Sequence, residues 1–181
     1  MVARPLIAVS IGAFLLGGCG DGTSTESTGG TAESSSPTTI AGRVASVTDG
    51  DTIRVDTGGE DTERVRLVGI DSPETRDPDT AAQCYGAEAT RTLEGLLPVR
   101  TRVRLQSDPT QDTRDRYGRL LAYVYRPGET VSINEMLVSR GAAKVYVYRG
   151  TPFAQHPAFV AAETTARSAK RGLWGACVAG G

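Results

Sequence analysis

A single histidine, His156, is all that this chain of 181 residues carries. Acid/base chemistry by a histidine pair is therefore excluded, and so are zinc sites built on histidine. Lysine is almost as scarce, since Lys144 and Lys170 are the only two, and the other cations are arginines. Arginine suits bidentate contact with phosphate, although heavy arginine use is also what a GC-rich genome produces. The formal net charge of −1 gives no global basic field. A nucleic-acid partner would have to be held by local cationic groups and not by bulk attraction. No Gly-x-Ser-x-Gly occurs, so a nucleophile elbow is absent. The apolar run at the N-terminus, Leu6 to Leu16, has 11 residues, short of the roughly 20 that a spanning helix needs.

That run is a targeting segment. Arg4 supplies the charged n-region, and Leu16-Gly17-Gly18-Cys19 ends the apolar stretch. Small residues directly before a cysteine look like a bacterial lipoprotein signal, cleaved before Cys19, whose thiol then carries diacylglycerol. An ordinary secretory signal with an incidental cysteine is the competing reading. Both place the domain outside the cytoplasm. Residues 1–18 are thus expected to be removed. Residues 19–39 form a lipidated Cys and a disordered Gly/Ser/Thr linker that cannot bury a core. The folded domain is expected over 40–178.

Within it, short alternating segments dominate. Arg43 to Thr48 reads as a strand, and Asp49-Gly50 as a hairpin turn. Asp51 opens the next strand, with Ile53 and Val55 inward. Glu63 to Ile70, Arg102 to Gln106 and Arg119 to Tyr125 complete five strands. Ala89, Leu93, Leu96 and Leu97 mark a helix stopped by Pro98. Ser132 and Glu135 form a capping box for a second helix that ends at Gly141. Pro157 starts a third, which runs to Lys170-Arg171-Gly172. The fold class is α+β: a five-stranded OB-fold barrel with about three helices. OB-folds commonly bind oligonucleotides.

Chemistry concentrates in Arg66-Leu67-Val68-Gly69-Ile70-Asp71-Ser72-Pro73-Glu74, a strand running into a turn stiffened by Pro73. If the second and third strands pair antiparallel, Asp51 and Asp71 meet at one barrel rim. Two carboxylates, a carbonyl near Ser72 and waters make a hard-cation site. Taken alone, Asp49-Gly50-Asp51 is an Asx-capped hairpin, and Asp71-Ser72-Pro73-Glu74 is a helix N-cap or turn. One obstacle is parity: Arg66 and Asp71 face opposite sides of a straight strand, and a bend at Gly69 would have to bring them round. Arg116-Tyr117-Gly118-Arg119 is a second cationic group, or an exposed basic turn. Tyr146-Val147-Tyr148 is a half-buried strand, or a stacking surface for a base or sugar.

These segments, together with Asp49-Gly50-Asp51-Thr52, Tyr85-Gly86-Ala87-Glu88-Ala89 and Arg119-(x2)-Ala122-Tyr123, occur in an order and spacing that resembles staphylococcal nuclease, the thermonuclease family, over residues 41 to 175. The resemblance implies an OB-fold, calcium-dependent endonuclease acting on DNA and RNA. It implies that Asp51 and Asp71 bind Ca²⁺ through carboxylates and Ser72 through its carbonyl, where threonine is usual. It implies that Glu74 is the general base or orients the attacking water, that Arg66 and Arg119 clamp phosphate, and that Tyr117, Tyr146 and Tyr148 flank the nucleotide. Arg116 stands where lysine is usual, and the family archetype's strong basicity is missing.

Cys84 and Cys177 remain after Cys19 is set aside, and in an exported protein an even pair reads as a disulfide. Two free buried thiols are the alternative. The whole reading is a monomeric, lipid-anchored nuclease outside the cytoplasm. A nuclease-like OB-fold that only binds nucleic acid, and a phosphodiesterase for small nucleotides, are its competitors.

Overall fold

The computed structural model describes residues 37–75 and 83–177. The stretch read as a signal segment, Cys19 and most of the stretch read as a linker lie outside the described residues. Within the described part, five strands close into a barrel in the order β1-β2-β3-β6-β5. They are β1 (Thr39–Asp49), β2 (Thr52–Asp56), β3 (Glu63–Leu67), β5 (Arg102–Gln106) and β6 (Leu120–Tyr125). β3 and β6 pair in parallel and the other neighbours are antiparallel. The helix α1 (Gly86–Leu96) sits between the third and fourth barrel strands in chain order. This is the OB-fold expected from the sequence.

Closure depends on the length of β1. Its first half pairs with β5, and its second half pairs with β2 after irregularities between Val44 and Ser46 and between Val47 and Asp49. Such bulges bend one strand so that it can serve two partners. β1 therefore starts at Thr39, one residue inside the stretch read as linker, and Thr38 already hydrogen-bonds Ser107 through its N–H. Val44, Ile53, Val55, Val65, Leu67, Val103 and Leu105 fill the interior. Their alternation with charged residues is the period-2 pattern of a half-buried sheet.

Two corrections concern the strands. The third strand stops at Leu67, and Ile70-Asp71 is a separate two-residue strand, β4, paired with β7 (Lys144–Val145). Gly69 stands between them at φ +79°. A Cβ there would lie 2.6 Å from the Phe153 ring, so the left-handed backbone and the packing both call for glycine. The second correction is at Tyr146 to Tyr148, which do not form a strand: β7 ends at Val145, and Tyr148–Gly150 is a single 3₁₀ turn.

Helices cover one side of β6. α2 (Ile133–Ser139) is N-capped by Ser132, whose hydroxyl accepts from the Glu135 N–H at 3.2 Å. It projects the buried Asn134, whose amide donates to the carbonyls of Val68 (2.9 Å) and Ala122 (3.1 Å) and accepts from the Val124 N–H (3.0 Å). That one side chain satisfies three backbone groups and locks α2 to the barrel wall. α3 (His156–Ser168) brings Phe159 to within 5.0 Å of Phe153, centroid to centroid. α4 (Leu173–Ala176) follows a turn at Gly172.

Beneath these rings lies a polar knot that the sequence reading did not single out. Asp108 is 4% exposed and accepts from the Thr110 N–H and hydroxyl, the Ala154 N–H and the Tyr123 hydroxyl. Burial pushes its carboxyl up, but the donors outweigh that and hold it below its ordinary value. Its contribution is fully present above the usual carboxylate value and is lost as pH falls through the depressed one. Asp108→Ala is expected to destabilise the domain by about 3 kcal/mol, because the buried Tyr123 hydroxyl loses its acceptor. The check is a denaturant melt, which should show a lower midpoint at unchanged slope.

Candidate active site

The rim where β2 starts and β3 ends gathers the residues of interest. Asp49 pairs with Thr52, so the two-residue hairpin loop is Gly50-Asp51, one residue later than the sequence suggested. Asp49 Oδ1 accepts the Asp51 N–H at 3.1 Å, an Asx turn that fixes the loop. Asp51 is thereby held with 7% exposure. Its Oδ2 accepts from the Ser72 N–H at 3.0 Å and from the Ser72 hydroxyl at 3.3 Å, and its Oδ1 accepts from the Thr52 hydroxyl at 3.0 Å.

Thr52 lies opposite Arg66 across the β2–β3 pair. Arg66 Nη2 is 3.0 Å from Asp51 Oδ2 and 3.1 Å from Asp71 Oδ1, bridging the two acids. Nη1 donates to the carbonyls of Leu67 (2.8 Å) and Ile70 (2.7 Å). Both of those carbonyls flank the Gly69 bend. The parity obstacle is thus removed by the turn itself: the bend that brings Asp71 back to Arg66 also presents carbonyls that aim the guanidinium.

Arg119 reaches the same rim from the turn before β6. Asp115 holds it, with Arg119 Nε donating to Asp115 Oδ2 at 2.7 Å, while Asp115 Oδ1 accepts the N–H groups of Tyr117 (2.9 Å) and Arg119 (3.0 Å). Nη1 is then 3.5 Å from the Thr52 hydroxyl, which places Arg119 beside Asp51. Tyr117 is 59% exposed, with the Arg119 Cζ 5.4 Å and the Arg116 Cζ 4.7 Å from its ring centre. Tyr148 is exposed and lies within electrostatic reach of Arg116. Tyr146 is exposed too, and its N–H donates to the Gly69 carbonyl at 3.0 Å.

Glu74 is half-buried, and its charge acts on Asp71. Its main chain is gripped from both sides by Gln83. The Glu74 N–H donates to Gln83 Oε1 at 3.2 Å, and the Gln83 N–H donates to the Glu74 carbonyl at 2.9 Å. The next residue, Cys84, is disulfide-bonded to Cys177 just past α4, with a Cα–Cα distance of 5.9 Å.

Four residues of the rim were missed from sequence. Asp49 is pushed up to about 6 by burial and by the negative charge of Asp51. Its Asp-x-Asp spacing was visible but was read as turn chemistry alone. Asp115 stands four residues before Arg119, a spacing that carried a signal. Lys144 pairs with Asp71 across β4–β7 and favours its ionisation, and Gln83 closes on Glu74. Neither of these last two is legible without the tertiary pairing.

Among the described residues, no three Asp, Glu, His or Cys side chains converge to hold a metal ion alone. A cation here would need main-chain oxygen and water beside Asp51 and Asp71. The donors are all hard oxygen, and partial desolvation at the rim, with the neighbouring charges of Asp51 and Glu74, pushes the carboxyl of the largely exposed Asp71 up against the pull of Arg66. The rim is short of positive charge, and the residues present fit a hard divalent ion that keeps part of its hydration.

One rim of a closed OB barrel thus gathers two acids, an arginine bridging them and a second arginine tethered by Asp115. Residues 64–176 match the family model described as staphylococcal nuclease homologue. The chain is 43% identical over 105 residues to a thermonuclease of Staphylococcus intermedius, covering 58% of this chain and 59% of that one. It is 37% identical over 132 residues to a thermonuclease of Staphylococcus hyicus, covering 73% and 74%. It is 40% identical over 128 residues to the SPbeta prophage-derived endonuclease YokF of Bacillus subtilis, covering 70% of this chain and 41% of that protein. The chain belongs to the staphylococcal nuclease family.

Proposed function

We propose that this chain is a Ca²⁺-dependent endonuclease that hydrolyses phosphodiester bonds of DNA and RNA, working as a lipid-anchored monomer outside the cytoplasm. One observation carries the reading. Arg66, which bridges Asp51 and Asp71, and Arg119, held by Asp115, converge with that acid pair on one rim. A pure binding module would not need that acid pair, which repels phosphate. The names of the relatives, thermonuclease and endonuclease, support the same chemistry.

Asp51, Asp71 and the Ser72 carbonyl would hold Ca²⁺, which supplies positive charge beside the phosphate. With those carboxylates given over to the ion, Arg66 Nη2 is available to a phosphate oxygen. Arg119, held at Nε by Asp115, keeps its two terminal nitrogens for the same group. Attack on a phosphodiester adds negative charge, and donors fixed in advance stabilise that charge more than the ground state. Glu74 holds the attacking water in line and takes its proton, and Tyr117, Tyr146 and Tyr148 flank the nucleotide.

The test is digestion of plasmid, single-stranded DNA, RNA and a dinucleotide with Ca²⁺ and with excess chelator. Cleavage with Ca²⁺ and none with chelator is expected; full cleavage under chelation refutes the metal role. Binding without any cleavage would favour the module reading. Calorimetry gives a readout apart from activity. Asp71 is 58% exposed, so Asp71→Asn should fold as the wild type. It should also bind Ca²⁺ at least roughly tenfold more weakly, as expected when a hard-cation site loses one of its charged ligands.

A further inference from the structure

The net charge is −1, yet the arginines are not evenly neutralised. Arg91, Arg114 and Arg126 are answered by Glu88, Glu63 and Glu129. Arg43, Arg54, Arg64, Arg102 and Arg104 form no ion pair with any described residue. All five lie on β5, β1, β2 and β3, four consecutive strands of the barrel. Their strand neighbours Val44, Ile53, Val55, Val65, Val103 and Leu105 are buried, so alternation turns the arginines outward.

The register makes them a row. Arg64 is two residues before Arg66 on β3 and directly opposite Arg54 on β2. Arg43 on β1 is directly opposite Arg102 on β5. Within a strand or directly across a pair, neighbours in the row are thus about 5–7 Å apart along the backbone, and the one diagonal step, from Arg54 (opposite Ser46) to Arg43 (opposite Asp56), spans about 8 Å. Like charges set opposite each other across strands are unfavourable for the fold. Glu63 is engaged by Arg114, so the one acid set within the row is Asp56, opposite Arg43, which forms no ion pair with any described residue and offsets one of the five charges. At its far end the row opens into a shallow, open groove of about 660 Å³ lined by Arg43, Arg102 and Arg104 against the single acid Asp56, with Ala41, Gly42 and Pro127-Gly128 contributing little side-chain bulk. The Arg104 guanidinium stacks 4.1 Å above the Tyr125 ring.

We propose that this row is a track for the sugar-phosphate backbone of a nucleic-acid strand, leading from Arg66 at the catalytic rim around the barrel to the groove. It rests on the nuclease reading and deepens it, because it makes the substrate a polynucleotide several phosphates long and not a dinucleotide. A flexible strand suits the layout better than a membrane does. The row turns across four strands of a five-stranded barrel, which a flat surface cannot follow, and it begins at the arginine assigned to the scissile phosphate. Other arginines, such as Arg140 and Arg171, also form no ion pair with a described residue, but the five of the row are the ones that strand register sets side by side.

The test uses the full chain carrying Cys19→Ala, with and without the further changes Arg43→Gln, Arg54→Gln, Arg64→Gln and Arg102→Gln. These remove mutual repulsion at exposed positions, so the thermal melt should hold or rise. Cleavage of a dinucleotide should be unchanged. Cleavage and equilibrium binding of a long labelled single strand should fall roughly tenfold or more at low salt, and the slope of log affinity against log salt should shrink by about 2–3. Unchanged affinity and salt slope in the variant overturn the track. So does a variant that keeps the strand but loses phosphatidylglycerol vesicles, which would assign the row to a membrane. A parent that binds the long strand with the steeper slope but never cleaves it refutes the nuclease reading and leaves the track standing.

Discussion

Glu74→Gln should lower single-turnover cleavage by at least ~10²-fold, the lower end of what a positioned general base contributes. Substrate binding should change far less. The substitution keeps the side chain's shape and much of its hydrogen bonding but removes the proton acceptor and a negative charge. The interaction lost strengthens mainly in the transition state, so the deficit belongs in turnover and not in affinity. Glu74 is half-buried at the rim and its main chain is held by Gln83, contacts that the amide leaves in place. The melting temperature should therefore stay near the wild-type value. Arg119→Lys is the companion variant: it keeps the charge but loses the fork that lets Nε hold Asp115 while the terminal nitrogens face the rim. It should fall by a similar factor. Single-turnover cleavage and equilibrium binding of one labelled oligonucleotide, with a melt for each variant, separate the outcomes. A Glu74→Gln protein that cleaves at nearly the wild-type rate removes Glu74 from the mechanism.

Much of the rim was legible because it sits on local chemistry. Arg66, Asp71 and Glu74 fall within one short stretch, and the antiparallel β2–β3 pairing that brings Asp51 to them follows from a hairpin signal. The barrel was legible for the same reason, since each strand alternates with period 2 and the helix between the third and fourth barrel strands marks the topology. What stayed hidden depends on contacts distant in sequence. Lys144 reaches Asp71 only because β7 pairs with β4, a strand too short to leave a pattern. Tyr146 and Tyr148 alternate as a strand would, yet the Tyr146 N–H is drawn to the Gly69 carbonyl and the chain then tightens into a 3₁₀ turn. The hairpin turn was placed one residue early because Asp-Gly is a strong turn signal, whereas here the Asp49 side chain caps the loop and the pair Gly50-Asp51 makes it. Gly69 shows the opposite case: a glycine in a strand pattern pointed to a bend, and the left-handed φ and the Phe153 contact supply its reason.

Removing the disulfide should have the largest effect on stability. Cys84 and Cys177 are 93 residues apart in sequence. Closing a loop of that length in the unfolded chain is worth about 4–5 kcal/mol on the chain-entropy model. The double variant Cys84→Ser/Cys177→Ser should therefore melt roughly 10–20 °C lower, taking a few degrees for each kcal/mol in a domain of this size. A second effect separates this bond from a passive staple. Cys84 directly follows Gln83, the residue that holds Glu74 by both main-chain groups. On the other side of the bond, Cys177 follows α4, which is docked by the buried Leu173 and its N–H to the Gly141 carbonyl at 2.9 Å. Loss of the bond thus frees the segment that positions Glu74 from the helical side of the domain. Well below the melting transition, the variant should turn over several-fold more slowly at unchanged KM, and a dithiol-treated wild type should behave the same way. If the melt drops but turnover is kept, the disulfide stabilises the fold without tuning Glu74. If the melt does not move, the contacts of Leu173 hold the C-terminal helix by themselves and the bond has no stabilising role.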